Sequence, residues 1–203
     1  MADLDIEILI NQNNLLDSNY VPFHLVVLDD NKDNFHKYKD PNLKPMVRED
    51  IIPDLLEMFQ DAKDEGYSII VDSGYRPYSY QRQILEERIK KVGVEKAYQL
   101  VALPGSSEHQ SGLCFDVAYL YDGIYSDNVR EDDEEVKWLI NNSYKYGFIL
   151  RYPKGKEEIT GYSFEPWHYR YVGKKLAKIL YENKETLEEY YNREKKMVKV
   201  KLK

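Results

Sequence analysis

With 203 residues, 42% of them hydrophobic and 32% charged, the chain can bury a core of its own and has the composition of a globular protein. A formal net charge of −7 argues against nucleic acid as a partner, because phosphate binding draws on clustered Lys and Arg. The single cysteine, Cys114, leaves no intramolecular disulfide to form, and its place in an apolar run predicts a buried thiol.

The first twenty residues have no basic n-region and only Ile8-Leu9-Ile10 where a signal peptide needs a longer apolar core. No stretch approaches the roughly 20 apolar residues of a membrane span. The expectation is therefore a cytoplasmic protein without a membrane span, or an extracytoplasmic one if a signal or anchor precedes this sequence. One domain is expected over residues 1–203, with an irregular arm over 1–49 and a basic tail over 193–203.

In the arm, Asn11, Asn13 and Asn14 mark turns, and Leu25 to Leu28 suit a short edge strand. From Glu49, the apolar positions Ile51, Ile52, Leu55, Leu56, Phe59 and Ala62 recur at helical spacing, with Pro53 in the first turn and Gly66 as the stop. Tyr67 to Asp72 read as a strand, Ser73-Gly74-Tyr75-Arg76-Pro77 as a turn, and Ile84, Leu85, Ile89 and Val92 as a helix closed by Gly93. Ala97 to Leu103 are compatible with helix or extended chain. Pro104-Gly105 then turns the chain into a polar loop, Ser106 to Ser111, that runs into a strand over Phe115 to Tyr121. A loop rich in Asp, Asn and Gly follows. Asp132 to Glu135 open a helix reaching toward Gly147, Phe148 to Tyr152 form a strand, and Pro153 to Glu158 a hairpin-like turn. Glu165-Pro166-Trp167-His168 precedes another strand-like stretch, Leu176, Ile179 and Leu180 mark a helix, and Lys195 to Lys203 read as peripheral. Helices and strands alternate irregularly with short connections. That pattern predicts an α+β fold: a small, mostly antiparallel sheet packed with helices.

Chemistry concentrates in two motifs. Zinc favours imidazole and carboxylate donors, and a catalytic zinc keeps three protein ligands and one open position. His109, Asp116 and His168 supply that number, and Gly112 between the first two lets the chain turn back. Glu165 is the candidate general base; an extended segment would aim it away from His168, so the Pro166 turn has to redirect it. Arg76 offers a planar fork for a substrate carboxylate or a developing oxyanion, or else a plain ion pair with Asp72 or Glu108. Ser107 could donate to the substrate carboxylate or to its own loop, and Gln81 could orient Arg76. Tyr75, Tyr78, Trp167 and Tyr169 would line the cleft. Each residue alone also has a purely structural reading. Their co-occurrence in a chain with four histidines, two of them in these motifs, favours a site; His24 and His36 have no such context.

Ser73-Gly-Tyr-Arg-Pro, the run Ser107-x-His109-x6-Asp116 and Glu165-Pro-Trp-His-Tyr-Arg170 resemble, in order, the motifs of the VanY and VanXY type D-alanyl-D-alanine carboxypeptidases, zinc peptidases related to the VanX dipeptidases and to the hedgehog signalling domain. Tyr146 to Pro153, Glu158 to Gly161 and Thr186 to Tyr190 extend the resemblance over roughly residues 8 to 192. It implies one catalytic Zn2+ held by His109, Asp116 and His168 on a small antiparallel sheet, Glu165 as general base, and Arg76 with Ser107 on the substrate terminus. The implied reaction removes the terminal D-Ala from peptidoglycan precursors ending in D-Ala-D-Ala, with D-Ala-D-Ala dipeptidase activity and vancomycin resistance as related expectations. Two readings compete with it: an L,D-carboxypeptidase trimming tetrapeptide stems, and a zinc-stabilised peptide-binding module without turnover. Cys114 and Tyr169 depart from the family's commoner residues.

Overall fold

The computed structural model describes residues 5–28 and 45–201; His36 and the centre of the N-terminal arm lie outside them. Two short strands, β1 (Leu25–Val27) and β2 (Met46–Arg48), pair antiparallel. A single 3-10 turn leads into α1 (Ile52–Asp64), where Pro53 occupies the first turn and buried Leu55, Met58, Phe59 and Ala62 form the inward stripe. Then come β3 (Ile69–Ser73), α2 (Tyr78–Val92), α3 (Val94–Leu100), β4 (Cys114–Tyr121), β5 (Ile124–Ser126), α4 (Glu134–Asn142), β6 (Phe148–Leu150), α5 (Glu157–Thr160), β7 (His168–Tyr171), α6 (Lys174–Asn183) and α7 (Leu187–Lys201).

The main sheet runs β3-β4-β7-β6, with β5 on part of β4, and every pairing in it is antiparallel. The expected α+β fold and antiparallel sheet are therefore present. Of the two readings open for residues 97–103, the chain takes helix as far as Leu100, in α3. Two local expectations need correction. Asp122 and Gly123 both take positive φ, 50° and 78°, so the presumed loop is a two-residue hairpin joining β4 to β5, as the left-handed pair of a primed turn requires. Residues 157–160 form a short helix where a hairpin-like turn is expected. In the basic tail, α7 continues as helix to Lys201.

Alternation along the strands gives the sheet two unlike faces. Ile69, Val71, Phe115, Val117, Phe148, Tyr169 and Tyr171 join α1 and α4 in the main core. Phe115 is its centre, edge-on to Phe59 at 5.8 Å and to Phe148 at 5.3 Å. The intervening residues of β4 and β7, namely Cys114, Asp116, His168 and Arg170, face the other way, and the functional side chains gather there.

The loop after β3 docks on β2: Tyr75 N donates to Met46 O, and a Cβ on Gly74 would lie 2.2 Å from that same backbone oxygen. The neighbour is main chain and cannot rotate aside. Gly74→Ala is expected to cost about 2 kcal/mol or more, read as a lower urea midpoint; an unchanged midpoint would mean that β2 yields freely.

Candidate metal centre and active-site cleft

Asp116 on β4 and His168 on β7 are direct cross-strand partners, so their side chains leave the sheet side by side on one face. His109 arrives from a 3-10 turn, Glu108–Ser111, which ends at Gly112 with φ 68°. The left-handed backbone there suits glycine, and Gly112 O accepts from Arg48 N at 2.9 Å, tying the turn to β2.

The hydrogen bonds fix which ring atoms face the centre. His109 Nδ1 lies 2.6 Å from Gly74 O, a pure acceptor, so this nitrogen carries the proton and Nε2 presents its lone pair. Nε2 stands 3.0 Å from Arg76 Nη2 and 3.3 Å from Asp116 Oδ2. His168 Nδ1 is 2.9 Å from Asp116 Oδ1, while its Nε2 turns toward Glu108 Oε2 at 3.5 Å. The two rings meet edge to face, 4.9 Å apart. Four-coordinate zinc with bonds of about 2.0–2.1 Å separates neighbouring donors by about 3.3 Å, close to the spacings of both imidazole nitrogens from Asp116. At this distance Nδ1 of His168 either donates its proton to Oδ1 of Asp116 or, as a lone pair, shares a metal ion with it. Burial alone would raise the Asp116 carboxyl, but His109 and His168 hold it well below the usual carboxylate range. The donor set and its charge thus fit zinc.

Cys114 is fully buried beneath the centre, as expected, with its sulfur and donor nitrogens of His109 and His168 all within 4.8 Å of one another. Burial pushes its thiol up, and the facing histidines bring it down to about 7.

Arg76 pairs with Asp116 at 3.2 Å, with neither of the partners, Asp72 or Glu108, that a structural reading offers it. Its Nη1 donates to Gln81 Oε1 at 3.1 Å, and Gln81 Nε2 is anchored on Ala102 O at 2.9 Å. The guanidinium is thus clamped at the wall of a cleft of about 320 Å³ that Ser107, Glu165 and Trp167 also line. At Glu165 the chain turns as Pro166 requires. His168 N donates to Glu165 O at 3.2 Å, a β-turn with proline at its second position, and the Glu165 carboxylate comes within 4.0 Å of His168 Nδ1. Burial, the largest influence, raises the Glu165 carboxyl, and Asp116 adds to it against the histidines and Arg76.

Three tyrosines are not where a cleft wall needs them. Tyr75 and Tyr78 line a separate hollow with Ser18 to Val21, because the loop carrying them turns toward the arm. Tyr169 is fully buried and stacks on Phe115 in the core. Their places in the cleft are taken by Tyr152, Tyr162 and Phe164. Tyr152 lies 5.0 Å, ring to ring, from His168, and Tyr162 packs on Tyr152 at 4.7 Å. No spacing signal singles these aromatics out. Glu108 was also missed, although its position next to His109 marks it. His24 is an exposed side chain 3.9 Å from Glu49.

Glu108 anchors the most buried polar network described. Its Oε1 accepts from Arg151 Nε and Arg170 Nη1, both at 2.8 Å, and all three side chains are wholly buried. Arg151 binds Glu188 of α7 through both terminal nitrogens, at 2.9 and 2.7 Å, and Asn11 caps Glu188 at 3.1 Å. Burial pushes the Glu108 carboxyl up, but Arg151 and Arg170 hold it well below its ordinary range.

A two-histidine, one-aspartate centre on an antiparallel sheet, with a glutamate and an arginine over the same cleft, defines the class of zinc-dependent peptidases. Residues 44–174 match the family described as VanY, D-alanyl-D-alanine carboxypeptidase, and the chain belongs to that family. It is 38% identical over 187 residues to the bifunctional D-Ala-D-Ala dipeptidase and D-Ala-D-Ala carboxypeptidase VanXYC of Enterococcus gallinarum, covering 91% of this chain and 92% of that protein. Among solved structures it is similar to the LdcB LD-carboxypeptidase, with a TM-score of 0.81 and 41% identity, covering 92% of this chain and 86% of that one. It is also similar to a variant of the vancomycin-resistance D,D-pentapeptidase VanY in complex with Zn(II), with a TM-score of 0.75 and 36% identity, covering 91% and 98%. Among the described residues no helix is long and apolar enough to cross a membrane.

If zinc joins β4, β7 and the His109 turn, its removal destabilises the fold. Zinc at a thousand times its Kd adds about 4 kcal/mol, and for a chain of this size each kcal/mol moves Tm by about 2–4 °C. Dialysis against a chelator is therefore expected to lower Tm by roughly 8–16 °C, restored by zinc and not by magnesium.

Proposed function

We propose that the chain is a zinc D,D-carboxypeptidase that removes the terminal D-Ala from peptidoglycan precursors ending in D-Ala-D-Ala, with free D-Ala-D-Ala as a further substrate, and that residues 1–203 act as one catalytic unit. The observation that carries this is the convergence, in one cleft, of His109, Asp116 and His168 with Glu165 and Arg76.

His109 Nε2, Asp116 and His168 Nδ1 would hold the zinc. When bound, the ion supplies a Lewis acid that polarises the scissile carbonyl and acidifies water. Glu165, half-buried at the cleft wall within 4.0 Å of His168 Nδ1, takes the proton of the attacking water and returns it to the leaving D-Ala nitrogen. Burial raises its pKa, which makes it a stronger base than an exposed carboxylate. Arg76, clamped by Gln81 and Asp116, and Ser107 receive the substrate's terminal carboxylate, so the bond one residue in falls over the metal ligands. Trp167, Tyr152 and Tyr162 form walls against which the stem peptide packs.

A second reading is favoured by the higher TM-score to LdcB: an L,D-carboxypeptidase acting on tetrapeptide stems. Incubation with a pentapeptide precursor, a tetrapeptide stem and D-Ala-D-Ala, with D-Ala release measured from each, decides between them. Release from the pentapeptide is expected; release from the tetrapeptide alone would transfer the chain to the second reading, and release from none, with zinc still bound, to a binding module. Glu165→Ala is expected to keep its zinc and lose about 10²- to 10⁴-fold in kcat. Full turnover by that variant would remove Glu165 from the role of base. We place the reaction in the cytoplasm, where precursors are met before export; cell fractionation tests this.

A further inference from the structure

We propose that Glu108 is a positioning residue for the metal centre: it holds His168 with Nδ1 turned to the metal, and Arg151, Arg170 and Glu188 fix where Glu108 stands. The proposal rests on the zinc-peptidase reading of the site.

Its first support is a pair of matching orphans. Both arginines bind Oε1 of Glu108, which leaves Oε2 buried with no hydrogen-bond partner, and His168 Nε2 is likewise buried without one. A buried polar atom left unmet is destabilising. The two orphans face one another at 3.5 Å, and a slight rotation of either side chain satisfies both. The contact puts the ring proton on Nε2 and leaves the Nδ1 lone pair facing Asp116, as a carboxylate behind a metal-bound imidazole does.

A second support is the rigidity behind Glu108. A carboxylate with no exposure cannot be held by water. Two guanidinium groups approach it from β7 and from the end of β6, and Glu188 on α7 grips one of them in a planar fork. Arg170 Nη2 also binds the carbonyls of Ile6 and Ile8 at 2.9 and 2.8 Å. Residues 6–11 and Glu188 lie outside the segment 44–174 that matches the family, so part of the bracing behind Glu108 comes from outside that segment.

A purely structural role would cost stability alone, so the test reads the metal. Zinc affinity by competition with a chromophoric chelator, and the visible spectrum of the cobalt(II)-substituted protein, are measured for Glu108→Asp, Glu108→Gln and Glu188→Gln. Aspartate keeps the charge that the arginines need and withdraws the carboxylate from His168 by one methylene. Folded Glu108→Asp is expected to bind zinc about 10- to 100-fold more weakly and to show shifted cobalt d–d bands. Glu188→Gln, too far off to touch the metal, is expected to shift both in the same direction by less, and it keeps the test decisive where neither Glu108 variant folds. Unchanged affinity and cobalt spectrum in folded variants would overturn the proposal. Neither readout uses a peptide substrate, so failure of the wild-type protein to release D-Ala would defeat the peptidase reading and leave this result standing.

Discussion

The register between β4 and β7 is the constraint from which the site follows. Asp116 opposes His168 in the ladder, and because side chains alternate across a strand, a slip of one residue would send Asp116 into the apolar core and Phe115 into the cleft. The core forbids that slip: Phe115 and Tyr169, one position away from Asp116 and His168, are both fully buried among aromatic neighbours. Apolar packing on one face thus fixes the position of polar donors on the other. The third candidate donor needs a different device, since His109 is not on the sheet. Its ring is set by Gly74 O, and Gly74 in turn lies too close to β2 to carry a side chain.

Much of this was legible in the sequence because the residues that carry the chemistry are rare. A chain with four histidines, two of them beside acids and ahead of strands, leaves few ways to assemble a metal centre, and the motif order supplied the family. The strand over 115–121 and the helix after Glu49 were legible from periodicity. What failed has physical causes. Tyr169 was assigned to the cleft, yet it sits between His168 and Arg170 on one strand, so the two-residue period already placed it on the opposite face. Tyr75 follows a loop whose direction depends on Met46, 29 positions earlier in the chain, a tertiary contact with no local signature. Asp122-Gly123 did carry the hairpin signal and was passed over as loop. The C-terminal helix was hidden by its charge: tertiary partners such as Arg151 and Asn11, which bind its Glu188, stabilise a segment whose own composition reads as solvated.

Glu108 illustrates a different limit. A glutamate in a polar loop is nearly always solvated, and its ionised burial is tolerable only because Arg151 and Arg170 come with it. Neither arginine is near it in sequence, at separations of 43 and 62. Removing one member of such a network typically costs about 3–5 kcal/mol because it strands the opposite charge. The network gains nothing over apolar packing as a source of stability. Its presence is better understood as specificity: it lets only one docking of the arm and of α7 against the sheet satisfy every charge.

The sheet's two faces then divide the work. One is sealed by α1 and α4 with hydrocarbon and aromatic rings, and needs no other support. The second carries Asp116, His168 and Arg170 and cannot be sealed that way, because charged groups need partners. At its outer end it opens into the cleft, where Arg76, Glu165 and a substrate can meet the ligands. At its inner end the backbone carbonyls of Ile6, Ile8 and Ile10, Glu188 and the paired guanidinium groups close it. The same row of polar side chains is therefore open where it meets the cleft and closed off where it meets the arm, and Glu108, facing His168 on one side and bonded to the arginines on the other, stands at the boundary.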